Sequence, residues 1–231
     1  MTVKHLKTVR TLIEAMPWIR RFAGKVMVVQ PDGVAAKSPR LRRDLAADVA
    51  LLRMVGMQPL VVEGCGAADG IAELVQAEGA QVTAITIPEG EKPSADLLTD
   101  LPAMLASEVV PVVAAGSAAA LVAGAFAAGM AAEKLVLMSD AGGLVVEQAH
   151  ETVVLSECDL TTVGALSAAG RVPGDLVDQL AAVRVALENG VGSAHIVDGR
   201  VEHALLLEIL TDAGCGTKIV AVSPALAGMV S

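Results

Sequence analysis

Aromatic side chains are nearly missing from this 231-residue chain, which has one Trp, two Phe and no Tyr. So few rings cannot build a platform for stacking bases or sugars. Cysteine is sparse as well. Cys65, Cys158 and Cys215 are odd in number and widely spaced, which excludes a disulfide framework and a zinc signature and fits a reducing, cytoplasmic setting. Positive charge is in deficit, with 17 Lys and Arg against 26 Asp and Glu and a net charge of −9. That balance excludes a general nucleic-acid partner, because phosphate backbones attract basic faces. Arg20, Arg21, Arg40, Arg42, Arg43 and Arg53 form a basic patch that reads as a solvated helix face.

Long apolar runs are also scarce. The first twenty residues carry Lys4, Lys7 and Arg10 without a continuous apolar core, so they are not read as a signal peptide. The uncharged run from Val109 to Ala132 is long enough to span a bilayer. Pro111, Gly116, Ser117, Gly124 and Gly129 interrupt it, and it reads as a buried strand followed by a small-residue helix. No membrane partner is expected.

What the chain does contain is small aliphatic residues: 54% of it is apolar, mostly Ala, Val and Leu. Such a core suits helices packed tightly on a parallel sheet. Apolar periodicity predicts an amphipathic helix over 3–22, with Pro17 kinking it or starting a new turn. Strands are predicted at 25–30, 59–62, 80–87, 109–114, 134–138, 193–197 and near 217–222. Between them fall helices at about 39–55, 67–78, 94–106, 117–131, 160–168, 173–188 and 201–210, with a hairpin over 140–155. This alternation predicts an α/β fold whose mainly parallel sheet is covered on both faces. Ligands in such sheets sit at the carboxyl ends of strands. The turns after Val29, Val62, Ala114 and Met138 are therefore where chemistry is sought.

Several local patterns bear on that chemistry. Gly64, Gly66 and Gly70 open a helix after a strand, close to a dinucleotide fingerprint, and Glu89 at the end of the next strand is a candidate ribose contact. Tight strand-to-helix turns need glycine in any case, and Glu63 would face a pyrophosphate unfavourably. Ser117 lacks the second glycine of a nucleophile elbow. The histidines are scattered: His150 and Glu151 read as an exposed turn, and His195 as a satisfied core histidine. The segment Gly192 to Thr217 packs a strand, a turn at Asp198-Gly199, a helix and a Gly-rich exit. His203 and Glu208 lie too far apart for one narrow helix face, but both are candidates to reach a cleft at the helix ends.

Four stretches, LIEAMPWIRRFAGKVMVV, LRRDLAADVALLRMVGMQPLVVEG, AAEKLVLMSDAGGLV and GVGSAHIVDGRVEHALLLEILTDAGCGT, together resemble acetylglutamate kinase, of the amino acid kinase family. The resemblance covers most of the chain in order and lacks a block after Val82, where the family carries more of its substrate-binding elements. It implies a three-layer αβα sandwich with a mainly parallel open sheet. Residues 1–24 would be an N-terminal oligomerisation helix and 25–231 one kinase-like domain, with lobes of about 25–108 and 109–231. It also implies ATP-dependent phosphorylation of a small carboxylate, and its active positions can be followed individually.

The K-x-G-G loop falls on Gln30-Pro31-Asp32-Gly33, so the catalytic lysine is Gln30 here and the first glycine is Asp32. The H-G-G-G loop falls on Glu63-Gly64-Cys65-Gly66, and N-x-N-x-D falls on Gly116, Ala118 and Ala120. The second lysine falls on Gly174, while the S/T-D-x-x-G turn persists from Ser139 and Asp140 to Gly143. Phosphoryl transfer needs cations and N–H groups around the phosphates. A carboxylate at Asp32 would instead repel a phosphate by about 1 to 4 kcal/mol. At the other end, the segment resembling the arginine site of arginine-sensitive members keeps His203, Glu208, Gly214, Gly216 and Thr217, with Trp18 as an aromatic wall and Lys218 as an unusual neighbour.

The resulting expectation is a non-catalytic, acetylglutamate kinase-like protein (a pseudokinase) of arginine biosynthesis that responds to arginine. It would carry no catalytic residue, with Gln30, Ala120 and Gly174 at the family's catalytic positions, and Gly33, Gly64, Gly66 and Asp140 as remnants of ligand loops. Trp18, His203, Glu208, Gly214 and Gly216 would form the effector site. No cofactor or metal is expected. Its partners would be copies of itself, in a dimer or hexamer, or an active acetylglutamate kinase. The alternatives are an active kinase using ATP and magnesium, and a dinucleotide-binding protein.

Overall fold

A computed structural model of the protein describes residues 3–64, 70–148 and 151–222. Cys65, Gly66, His150 and the predicted helix start at 67 lie outside the described residues. The strands are β1 (Val26–Gln30), β2 (Gln58–Glu63), β3 (Gln81–Thr86), β4 (Val109–Ala114), β5 (Lys134–Ser139), β6 (Val145–Gln148), β7 (Glu151–Val154), β8 (Glu157–Asp159), β9 (Ser193–Asp198) and β10 (Gly216–Val220). Eight of them form one sheet in the order β3-β4-β2-β1-β5-β9-β10-β8, and β6 and β7 pair separately as an antiparallel hairpin. All neighbours in the large sheet run parallel except β9 and β10. The central strands read as uninterrupted Val, Leu and Met because helices cover both of their faces.

One helical layer holds α1 (Val3–Phe22), α2 (Gly33–Lys37), α3 (Pro39–Met54), α4 (Ile71–Ala77) and α9 (Ala204–Leu210). The other holds α5 (Ala95–Ala106), α6 (Ala119–Gly129), α7 (Leu160–Ala168) and α8 (Val177–Glu188). The period-two alternation of β1 divides its side chains between the layers, Met27 and Val29 packing with α3 and α9 and Val28 packing with α6 and α8. Helix starts follow their caps. Ser38 accepts from Leu41 N and Pro39 stands at the first position of α3, while Asp159 Oδ1 accepts from Thr162 N at 2.9 Å to start α7. The closest helix contact is α6 on α8, where a Cβ on Gly124 would lie 2.8 Å from the Ala182 backbone.

The strand order interleaves the two lobes read from the sequence, since β4 lies between β2 and β3. The run from Val109 to Ala132 is β4, a short 3-10 turn at Gly116–Ala118 and α6. No helix among the described residues is long and apolar enough to cross a membrane. The basic patch differs from its reading. Arg42 is buried, and Arg53 is half-buried, donating Nη1 to Met57 O at 3.0 Å, because α3 packs both of them inward. Helix α1 continues through Pro17 and is anchored by its last turns, where Phe22 is 1% exposed. Its upper part leaves Val9, Leu12, Ile13 and Met16 exposed.

Candidate functional site

Two concavities hold the residues singled out in the sequence. The first, about 510 Å³, lies between the end of α1, β9, α9 and β10. Its floor is a buried pair, with His195 Nδ1 2.6 Å from Glu208 Oε1 and His195 Nε2 2.8 Å from Ser193 Oγ. Burial pushes the His195 pKa down although Glu208 beside it pulls the other way. Burial would raise that of Glu208, but its bonds to His195 and to Cys215 N (2.9 Å) hold it below the usual carboxylate value. These directions correspond to a carboxylate beside a neutral imidazole. Nδ1–H donates to Glu208, and Nε2 accepts from Ser193.

The walls add aromatic surface and charge of both signs. The rings of Trp18 and Phe22 stack at 6.1 Å, with the Arg21 guanidinium over both. Lys134 Nζ, its pKa lowered by burial, lies 5.1 Å from the Phe22 ring and donates to Glu208 O at 3.4 Å. Lys218 and Glu157 pair at 3.3 Å on the rim, and Gly214 and Gly216 line the exit. Cations and carboxylates side by side around an aromatic wall can hold a zwitterion with a second charged group.

Of the expected effector residues, Trp18, Glu208, Gly214 and Gly216 line this cavity, and His203 does not. His203 starts α9 in the left-handed region at φ 54° and turns to α3, where its Nδ1 lies 2.6 Å from Asp48 Oδ1. Burial pushes the Asp48 pKa up to about 6, and the bond to Asp48 pushes that of His203 up. One helical turn thus separates residues whose numbers stand close. Thr217 is buried behind the cavity, donating Oγ1 to Leu155 O. Sequence reasoning missed His195 and Lys134 as cavity residues. The strand alternation that puts Ser193 and His195 on one face was the available signal.

The second concavity, about 570 Å³, lies at the carboxyl ends of β1, β2 and β4, where the strand order reverses. Gln30 lines it, 2% exposed, with Nε2 donating to Pro31 O at 2.8 Å. Asp32 caps α2 by accepting from Gly33 N at 2.7 Å, and Asp140 reaches the same helix by accepting from Val34 N at 2.8 Å. Gly64 and Ala120 also line the cleft, and Gly174 adjoins it through Asp175 and Asp178. Lys37 faces four carboxylates there: Asp32, Glu89, Asp175 and Asp178. A phosphate chain would meet more negative than positive charge.

The dinucleotide reading loses its features. Glu63 Oε2 accepts from Ile71 N at 3.3 Å, so a carboxylate already takes the α4 amide where a pyrophosphate would sit. Glu89 binds Ser117 rather than standing free at a strand end. Among the described residues no cluster of three or more His, Cys, Asp or Glu is placed to hold a metal ion. Burial raises the thiols of Cys158 and Cys215 to about 11, away from nucleophilic use.

Comparison with known proteins places this geometry. No family model matches the chain. Solved structures share its fold. N-acetylglutamate synthase from Neisseria gonorrhoeae complexed with coenzyme A and N-acetyl-glutamate superposes with a TM-score of 0.76 at 17% identity. That match covers 93% of this chain and 64% of the synthase chain. The same enzyme with coenzyme A and L-arginine gives 0.73 at 17%, over 93% of this chain and 66% of its own. Carbamate kinase from Giardia lamblia bound to AMP-PNP gives 0.64 at 12%, over 87% and 99%. In sequence, an acetylglutamate kinase of Geotalea uraniireducens is 30% identical over 94% of this chain and 99% of its own length. That of Chromobacterium violaceum is 32% identical over 90% and 96%. The Geotalea alignment runs over 291 positions, more than the 231 residues here, so the relative carries residues with no counterpart in this chain. At 30% and 32% identity over nearly the whole length of these enzymes, the chain belongs to the acetylglutamate kinase family.

Proposed function

We propose that this protein serves arginine biosynthesis as an acetylglutamate kinase-like subunit that binds arginine in the cavity between α1 and α9, without phosphoryl transfer of its own. The observation that carries the reading is the buried Glu208 carboxyl group, held by His195 and Cys215 N beneath the wall of Trp18 and Phe22. A guanidinium or α-amino group pairs with such a carboxylate in a charge-assisted contact. Lys134 and Arg21 are at hand for the α-carboxylate. A structural neighbour, the Neisseria synthase, was solved with L-arginine, which is consistent with this ligand. The exposed apolar stripe of α1 supports an assembly with copies of itself or with an active kinase.

A second reading rests on a separate observation. The curated relatives that span the chain are named acetylglutamate kinase, and on their names alone an active enzyme phosphorylating a small carboxylate with ATP is the better supported. Lys37 would then be the cation of the cleft. The cleft's side chains favour the non-catalytic reading. Gln30 and Gly174 supply no charge, Asp32 supplies the wrong one, and the loss of even one positioned donor costs about a hundredfold in rate.

Titration calorimetry with arginine, beside a turnover assay with acetylglutamate and Mg-ATP, tests both. Heat with arginine that falls at least tenfold in Glu208→Gln, with no turnover, is the expected result. Turnover above background that Lys37→Met abolishes would establish the kinase reading instead. Absence of arginine binding would overturn the effector proposal.

A further inference from the structure

Helix α9 starts without a side-chain cap of its own. Its cap comes from α3 instead. The Asp48 carboxylate accepts from the Leu206 amide in the first turn of α9 and meets His203 Nδ1 at 2.6 Å. Asp48 is 1% exposed, whereas the His203 ring stands half in solvent. His203 also holds the left-handed backbone region at φ 54°. A non-glycine residue stays in that region only where its surroundings over-determine it, and here Asp48 supplies the bond that does so. Five residues further on, Glu208 reaches the cavity floor, where its Oε2 accepts from Cys215 N at 2.9 Å. Ala204, Leu205 and Ile209 are buried between these two anchors, so the short helix is one packed unit.

We infer that Asp48 and His203 are a positioning pair that latches the start of α9 to α3 and so seats Glu208 in its cavity, more firmly with the imidazole protonated than neutral. The inference rests on the arginine reading of that cavity and adds what holds its carboxylate in place. An imidazolium donates a charge-assisted bond to Asp48, stronger than the bond of a neutral ring. Asp44, one turn before Asp48 on α3, and Glu202 beside the ring add negative charge, and Arg40 pairs with Glu202. From α2 and β5 only Ala35 and Met138 face this corner. The bond to Asp48 raises the His203 pKa, and burial raises that of Asp48 to about 6. Both shifts are upward, so each contribution is present below the group's ordinary value and lost as pH rises through the folded one. The Asp48 contribution is lost by about pH 6. Above that the latch weakens as His203 gives up its proton.

Amide hydrogen exchange of the full chain between about pH 6.5 and 8.5, corrected for the intrinsic rate, tests the inference. The amides of Leu206 and Leu207 report the latch, and that of Cys215 reports the seating of Glu208 without any ligand. Protection at all three should fall about tenfold over this range in the parent. In His203→Asn, which suits the left-handed backbone and keeps an uncharged donor, protection should not change with pH. Arginine at a tenfold excess over its Kd should raise protection at the three amides about tenfold, because it binds only the seated carboxylate. Protection that is flat in the parent, or that falls equally in His203→Asn, would overturn the latch. A fall at Leu206 and Leu207 that spares Cys215 would confine the pair to a local cap and overturn its role at Glu208. So would arginine that gives calorimetric heat but leaves the three amides unmoved. No heat with arginine at any pH, while Cys215 still follows His203, would overturn the arginine reading and leave the latch established.

Discussion

His195 shows how far a residue's chemistry depends on its surroundings. As a free side chain it would titrate near 6.5, but burial holds it neutral below that value while Glu208 stays ionised. Both shifts are downward, so the unfolded chain binds more protons than the folded one as pH falls. The stability they contribute is present above about 6.5 for His195 and above about 4.5 for Glu208, and it is lost as pH drops through the folded values. Asp48, raised from 3.8 to about 6 by burial, works in the opposite sense between those limits, so the His195 effect has to be isolated by substitution. Relative to His195→Gln, the parent should lose stability progressively between pH 7 and 5 in urea titrations. Parallel profiles would mean that folding leaves the imidazole's affinity for protons unchanged, and a parent that gains stability as pH falls would mean that the imidazole is charged in the fold. At Gln30 the expectation concerns an unpaired acceptor. Gln30→Leu removes the orphan Oε1 along with one bond to Pro31 O, and should leave stability unchanged or raise it by about 1 kcal/mol. A drop of more than about 2 kcal/mol would show that the amide is satisfied.

At the scale of elements, the α6–α8 contact is the tightest joint, because Gly124 and Ala182 let two helices approach at backbone distance. Gly124→Val would place side-chain carbon where the Ala182 backbone already lies. Overpacking of this kind costs about 1–3 kcal/mol, read as a shift of the chemical unfolding midpoint. Helix α1 presents the reverse case, an element with too little to pack against. Leu12 and Ile13 are each 64% exposed, and Val9 and Met16 continue the stripe. If that face is covered in an assembly, Leu12→Lys with Ile13→Lys should lower the mass seen by light scattering to that of one protomer while leaving the fold intact. A parent that is already monomeric would refute the covering. Helix α9 shows how an element distributes its residues, with His203 turned to Asp48 on α3 and Glu208 turned to His195 on β9.

For the whole molecule, one eight-stranded sheet threads both halves of the chain, with β4 seated between β2 and β3. Neither half can keep its strand partners if the other opens, so unfolding should be a single cooperative transition, with coincident fluorescence and circular dichroism curves. Trp18 reports the fluorescence and sits at the α1–α9 cavity. A separate early phase in fluorescence alone would identify α1 and the cavity as an independent unit. Much of this architecture was legible in the sequence. β1, β4 and β5 announce themselves as short Val- and Leu-rich runs, since a strand buried on both faces admits little else. Helix α2 was not legible, because Asp32-Gly33 reads as a turn until Asp140, far along the chain, caps Val34 N. The short strand β8 carries no periodicity of its own and is a strand by virtue of pairing with β10.

The sequence by itself determined the fold class, the alternation of strands and helices, and the family. Those are matters of local sterics, burial periodicity and residue identity, all of which are written in order along the chain. Only the tertiary structure decided that His203 turns away from the cavity at Glu208 while His195 lines it, that Arg42 is buried, and that Gln30 and Gln179 line one cleft. Those outcomes depend on which distant elements pack together, and on the desolvation and hydrogen bonds that such packing imposes on groups with no sequence neighbour in common.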